Sequence, residues 1–151
     1  DLVSAWVAIS PTNQANGALQ FVRGSHKQRF VHEDTYAEGN LLHRGQAIKD
    51  VSGDIALLEL AAGQASLHHG WTVHASGPNG TDDRRVGIVM NYVKPSAKQA
   101  VGEYETATLV RGQDHYNNFK AEPAYSSDFA PGNVAFQKEV EHRKREVYDT
   151  A

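Results

Sequence analysis

The sequence predicts an all-β fold, a sandwich or jelly roll, finished by one C-terminal helix. Two observations carry this. Short runs rich in Val, Ile, Leu and aromatic residues recur at close spacing with Gly, Asn and Pro turns between them, and only "NVAFQKEVEHRKREVYDTA" at the end has the spaced apolar pattern of a helix. A third sets the scale: 151 residues, 40% hydrophobic and 22% charged, with a net charge of −3, fit one domain of modest core.

The elements follow in order. Leu2 to Ile9 is a largely buried strand that stops at Ser10-Pro11. Asn16-Gly17 takes positive φ cheaply and leads, as a hairpin or short reversal, into a strand from Ala18 to Val22. The polar stretch 23–48, broken at Gly39-Asn40 and Arg44-Gly45, is a long loop of the kind that carries function or forms ragged surface. Short strands are expected at Ile55 to Leu60, Gln64 to His68, Trp71 to Ala75 and Arg85 to Val93. Beyond Lys94 the pattern is irregular, with a short strand near Thr106 to Val110. The last segment is an amphipathic helix over about 133–148, with Asn133 as its N-cap. The reading is a single domain: a core over about 1–93, an irregular segment over 94–132 and the helix.

Composition excludes several functions. Weak acidity without a Lys/Arg block argues against nucleic acid or an anionic membrane as partner. No apolar run is long enough to span a bilayer. With no cysteine, any metal must be held by His, Asp or Glu. A cytoplasmic location is the working expectation, although neither the lack of cysteine nor the lack of a leader fixes it.

Chemistry concentrates in "HHGWTVHASGPNGTDDRR", residues 68 to 85. His74 ends a short apolar stretch and Arg85 opens the next strand eleven residues later. If the two strands are antiparallel partners, both side chains lie near one end of a barrel. A neutral imidazole can ligate a divalent metal, and a guanidinium can hold a carboxylate through two parallel hydrogen bonds. Spacing alone leaves open that His74 is a hydrogen-bonded structural residue. His68 and His69 face opposite ways in a strand, so at most one can join His74.

These residues, with "SAWVAISPTNQANGALQFVRGSHK", resemble the phytanoyl-CoA dioxygenase family of Fe(II)- and 2-oxoglutarate-dependent oxygenases. The matching features are Trp6, Asn16-Gly17, Gly24-Ser25-His26 with Arg23 where proline is usual, and His74-Ala75-Ser76-Gly77-Pro78-Asn79 followed by Arg85. The resemblance implies a double-stranded β-helix whose iron is held by two histidines and a carboxylate. It implies that His74 is the distal metal ligand. Arg85 would pair with the far carboxylate of 2-oxoglutarate, assisted by Ser76, with Trp6 beside the same co-substrate. The implied activity is hydroxylation of a small-molecule substrate.

One departure stands out. The family's His-x-Asp motif precedes the Trp-containing strand, and only Asp1 to Ala5 precede Trp6 here. Asp1 is too close to serve, and His32-Glu33-Asp34 falls after the Gly-Ser-His loop, as a solvated segment. The expectation is therefore an N-terminally incomplete chain, inactive alone, whose unpaired sheet edge pairs it into a homodimer. Two other readings stay open: a halogenase, with a small residue replacing the upstream carboxylate, and a non-catalytic jelly-roll binding module. Arg23, Lys27, Arg29 and Arg44 are candidates for holding an acidic substrate.

Overall fold

The computed structural model describes residues 2–36, 45–100 and 105–150, with side chains up to 145. It is mostly strand with one C-terminal helix. The chain divides into two compact units, 1–92 and 93–151. Arg44 and the Gly39-Asn40 break lie outside the described residues, as does Asp1.

The first unit holds two three-stranded sheets. In one, β1 (Leu2–Ala8) lies between β6 (Ala65–His69) and β8 (Gly87–Val93). Its antiparallel register with β6 runs from Val3 opposite His69 to Val7 opposite Ala65. In the other, β2 (Leu19–Val22) lies between β5 (Ile55–Leu57) and β7 (His74–Ser76), antiparallel to both.

Two expectations are corrected by this arrangement. Asn16-Gly17 does make a turn, with Gly17 at φ 76°, but it joins no hairpin. The Thr12 hydroxyl donates to Leu58 O at 2.8 Å and accepts Leu60 N–H at 2.9 Å, which steers the chain away from β1 and into the second sheet. Likewise β7 and β8 are not partners, because the segment between Ser76 and Gly87 crosses from one sheet to the other. These two crossings touch: a β-carbon on Gly17 would sit 2.5 Å from Gly77 O, and Gly80 N–H donates to Ala15 O at 3.0 Å. Glycine at 17 is required both by its φ and by that close approach.

The stretch 23–48 is not all loop. A two-stranded antiparallel ribbon forms between β3 (Glu33–Thr35) and β4 (Gly45–Ala47). Its side chains reach water and one another, as where Gln46 Nε2 donates to Asp34 Oδ1 at 3.4 Å, and so left no apolar alternation to read.

The core of this unit is small. Ala5, Trp6, Ala8 and Ala18 are buried together with the polar Ser4, Thr12 and Ser25, and among the described residues no large side chain is fully enclosed. By contrast, β8 is exposed along its whole length, Ile88 to 51% and Val89 to 55%.

The second unit pairs β9 (Thr106–Ala107) in parallel with β10 (Lys120–Ala121), and places α1 (Pro131–Thr150) beside them. Glu122 accepts hydrogen bonds from both Thr106 and Thr108. Lys120 meets Glu139 at 3.6 Å and lies over the Phe136 ring, which joins strand to helix. Asn133 is not the N-cap. The helix begins two residues earlier at Pro131, whose fixed φ suits a first helical position, and Asn133 Nδ2 donates instead to Ala124 O. Among the described residues no helix is long and apolar enough to cross a membrane.

Candidate metal and oxo-acid site

The inner faces of the two sheets of the first unit meet around His74. Phe21 stands directly opposite it in the β2–β7 register, with ring centroids 5.7 Å apart. From the other sheet, His68 brings its ring to 5.1 Å from His74 and 4.9 Å from Phe21. His74 Nδ1 lies 2.7 Å from Thr72 O. A carbonyl can only accept, so Nδ1 carries the proton and Nε2 keeps a free lone pair. This is the tautomer a metal ligand needs.

Strand alternation sorts the neighbouring pair as expected. His68 turns inward. His69 turns away, its Nδ1 accepting Trp71 N–H at 3.1 Å and its ring meeting the indole edge-on. Burial, with the nearby His74 adding to it, holds the His68 imidazole below its ordinary pKa. Its Nδ1 is buried without a hydrogen-bond partner, and so is Ser66 Oγ two residues earlier on the same face.

Arg85 is set by Ser10, whose hydroxyl donates to Arg84 O at 3.2 Å and accepts Val86 N–H at 2.8 Å. Clamped on both sides, Arg85 carries its guanidinium to 5.7 Å from the Trp6 ring. That ring lies against Gly87, where a β-carbon would be 2.1 Å from Trp6 Cζ2. Ser76 is opposite Leu19 on β2 and shares the face of His74.

The register relates these groups. His68 is opposite Ser4, and Ser4 shares a strand face with Trp6. The indole beside Arg85 and the imidazole of His74 therefore line the same space between the sheets. Sequence reading missed four contributors: Phe21, Ser4, Asn91 and Gly87. Ser4 donates to Asn91 Oδ1 at 2.7 Å, a polar pair between the neighbouring strands β1 and β8. Its signal was there to read, as an Asn in the apolar run "GIVMNYV" at even spacing from Arg85. Arg23, a candidate for substrate, is paired with Asp54 at 2.9 Å.

For a metal, His74 is correctly prepared as one ligand. Among the described residues, no three His, Asp or Glu side chains gather as a metal-binding group. His32 is exposed on the ribbon, with Nδ1 3.3 Å from Gln46 Oε1. Nearby, the half-buried Arg85, the buried Trp6 and the exposed Ser76 offer a cation, a flat wall and a hydroxyl.

Residues 1–87 match the family model described as phytanoyl-CoA dioxygenase. The chain belongs to the phytanoyl-CoA dioxygenase family. Its family resemblance extends to two curated relatives. It is 28% identical over 108 residues to a probable alpha-ketoglutarate-dependent hypophosphite dioxygenase of Stutzerimonas stutzeri, covering 68% of this chain and 37% of that protein. It is 33% identical over 91 residues to a probable phytanoyl-CoA dioxygenase of Caenorhabditis elegans, covering 58% and 29%. In three dimensions it is similar to the non-heme monooxygenase ThoJ in its apo form, with TM-score 0.80, 32% identity and coverage of 99% of this chain and 54% of that one. The ThoJ–Ni complex matches with TM-score 0.72 and 28% identity, covering 99% and 52%. This member of the family thus spans about half the length of the solved chains and about a third of the curated relatives. Fe(II) and 2-oxoglutarate are the cofactors its membership brings.

Proposed function

We propose that the two sheets of the first unit are walls of a double-stranded β-helix, and that His74, Arg85, Ser76 and Trp6 form the co-substrate half of a 2-oxoglutarate-dependent oxygenase that hydroxylates a small molecule. The observation that carries this is the His74 Nδ1 bond to Thr72 O, which leaves Nε2 with a free lone pair. Fe(II) with 2-oxoglutarate, when bound, would use dioxygen to supply an oxidant that takes hydrogen from a substrate, the oxo acid losing CO2 to become succinate. This chain's residues bind and orient. Arg85 holds the far carboxylate in two parallel hydrogen bonds, Ser76 adds a hydroxyl donor, and the Trp6 ring limits where the acid lies and excludes water.

With His74 the one prepared ligand among the described residues, the 151-residue chain assayed alone binds iron weakly and does not turn over. The exposed strand β8 pairs it into a dimer. The test measures three things: 2-oxoglutarate binding by calorimetry, succinate release with Fe(II), and mass by light scattering. Expected are binding that Arg85→Ala weakens by about tenfold or more, no succinate, and a dimer. Binding unaffected by Arg85→Ala overturns the co-substrate assignment and favours a binding module for another ligand. Brisk succinate release overturns inactivity, and a clean monomer overturns the pairing.

A further inference from the structure

Beside the oxo-acid site, a second cluster stands on two segments held together by one buried hydroxyl. Ser25, 5% exposed, donates from Oγ to Val22 O and accepts Val73 N–H, both at 2.8 Å. This fixes the 3₁₀ turn Ser25–Lys27 against the segment that leads into β7. On these two segments the Arg29 guanidinium lies 4.3 Å from the centre of the Trp71 ring, His69 meets the same indole at 5.3 Å, and His26 lies 6.0 Å from His69.

The chemistry of this cluster has one sign. Stacked on an aromatic face, a guanidinium keeps its N–H edge free for a planar acid. Among the described residues no carboxylate pairs with Arg29, whereas Arg23 is taken by Asp54 and Lys49 by Glu33. The bond from Trp71 N–H occupies His69 Nδ1 as an acceptor, so the ring proton is on Nε2 and the outward nitrogen donates. Trp71 is itself only half covered, at 48% exposure. The cluster presents donors and positive charge, with no acid among the described residues to neutralise them.

We propose that Arg29, Trp71, His69 and His26 form the recognition site for the primary substrate, and that this substrate is a small acid whose carboxylate or phosphate group is bound by Arg29 and His69. This rests on the oxygenase reading and adds the substrate class to it. Two residues link the sites: Trp71 is followed directly by Thr72, whose carbonyl holds the His74 ring. An acid bound on Arg29 would be positioned by the same segment that orients the metal ligand.

The experiment uses the full chain, with ¹H–¹⁵N spectra recorded during titration with benzoate, with inorganic phosphate, and with benzamide as the uncharged match. The signals followed are the Trp71 indole N–H and the Gly70 and Thr72 amides. Expected are saturable shifts with benzoate or phosphate, none with benzamide, and about tenfold weaker binding in Arg29→Gln, which is surface-exposed and folds. His69→Ala weakens binding less. Equal response to benzoate and benzamide overturns the proposal, as does unchanged affinity in Arg29→Gln. Benzoate rather than phosphate saturation assigns a carboxylic acid, and the reverse assigns a phosphate ester. Two outcomes separate the readings: benzoate or phosphate binding at Arg29 while 2-oxoglutarate fails to bind the wild-type chain overturns the oxygenase reading alone, and binding at Arg29 that is lost in Arg85→Ala overturns the separate site.

Discussion

The Trp6 indole packs so closely over Gly87 that a β-carbon there would come within 2.1 Å of Cζ2. The absence of a side chain at the start of β8 is what lets the ring of Trp6 lie against that strand, beside Arg85. A ring cannot bend away as a flexible chain would, so substitution at 87 must displace either the indole or the strand.

Gly87→Ala is therefore expected to destabilise the chain by about 1–3 kcal/mol through overpacking. It should also weaken 2-oxoglutarate binding, because the Trp6 wall shifts. Thermal unfolding and calorimetry on the variant check both; an unchanged melting temperature would show that the strand absorbs the clash.

Ser25→Ala removes the hydroxyl shared by Val22 O and Val73 N–H. Leaving a buried donor unsatisfied costs about 1–3 kcal/mol. Hydrogen exchange should quicken at Val73 and along β7 more than along β1. Uniform exchange across both sheets would mean that Ser25 is not the local tie.

His68 sets a pH dependence. Burial, then His74, lowers its pKa below 6.5, so the folded chain binds fewer protons than the unfolded chain. Its contribution to stability is present above pH 6.5 and is lost as the pH falls through that value toward the folded pKa. The melting temperature should drop between pH 7.5 and pH 5.5, and His68→Gln should flatten part of that drop. A variant with the wild-type slope would assign the dependence to other groups.

How much could be read from the sequence depends on what each feature requires. The β class, the final helix and the opposite facing of His68 and His69 follow from local periodicity. Connectivity did not follow. A tight Asn-Gly turn says that the chain reverses, not which strand it next joins, and that choice is made by Thr12 bonding to Leu58 and Leu60, more than forty residues away. The site divides in the same way. His74 and Arg85 were legible through motif order, but their setting was not: His74 stands on β7 of one sheet and Arg85 leads into β8 of the other, rather than both on one hairpin. Ser4 and Asn91 were hidden because each looks like an ordinary substitution until their strands are adjacent.

The exposed run Ile88–Val93 has a practical side. A strand whose outer edge still offers backbone donors and acceptors, with apolar side chains on either hand, will take whatever extended segment reaches it first. Purification at low protein concentration, or addition of a short complementary peptide to occupy that edge, would decide whether the polypeptide stays in solution long enough for any of its ligands to be measured.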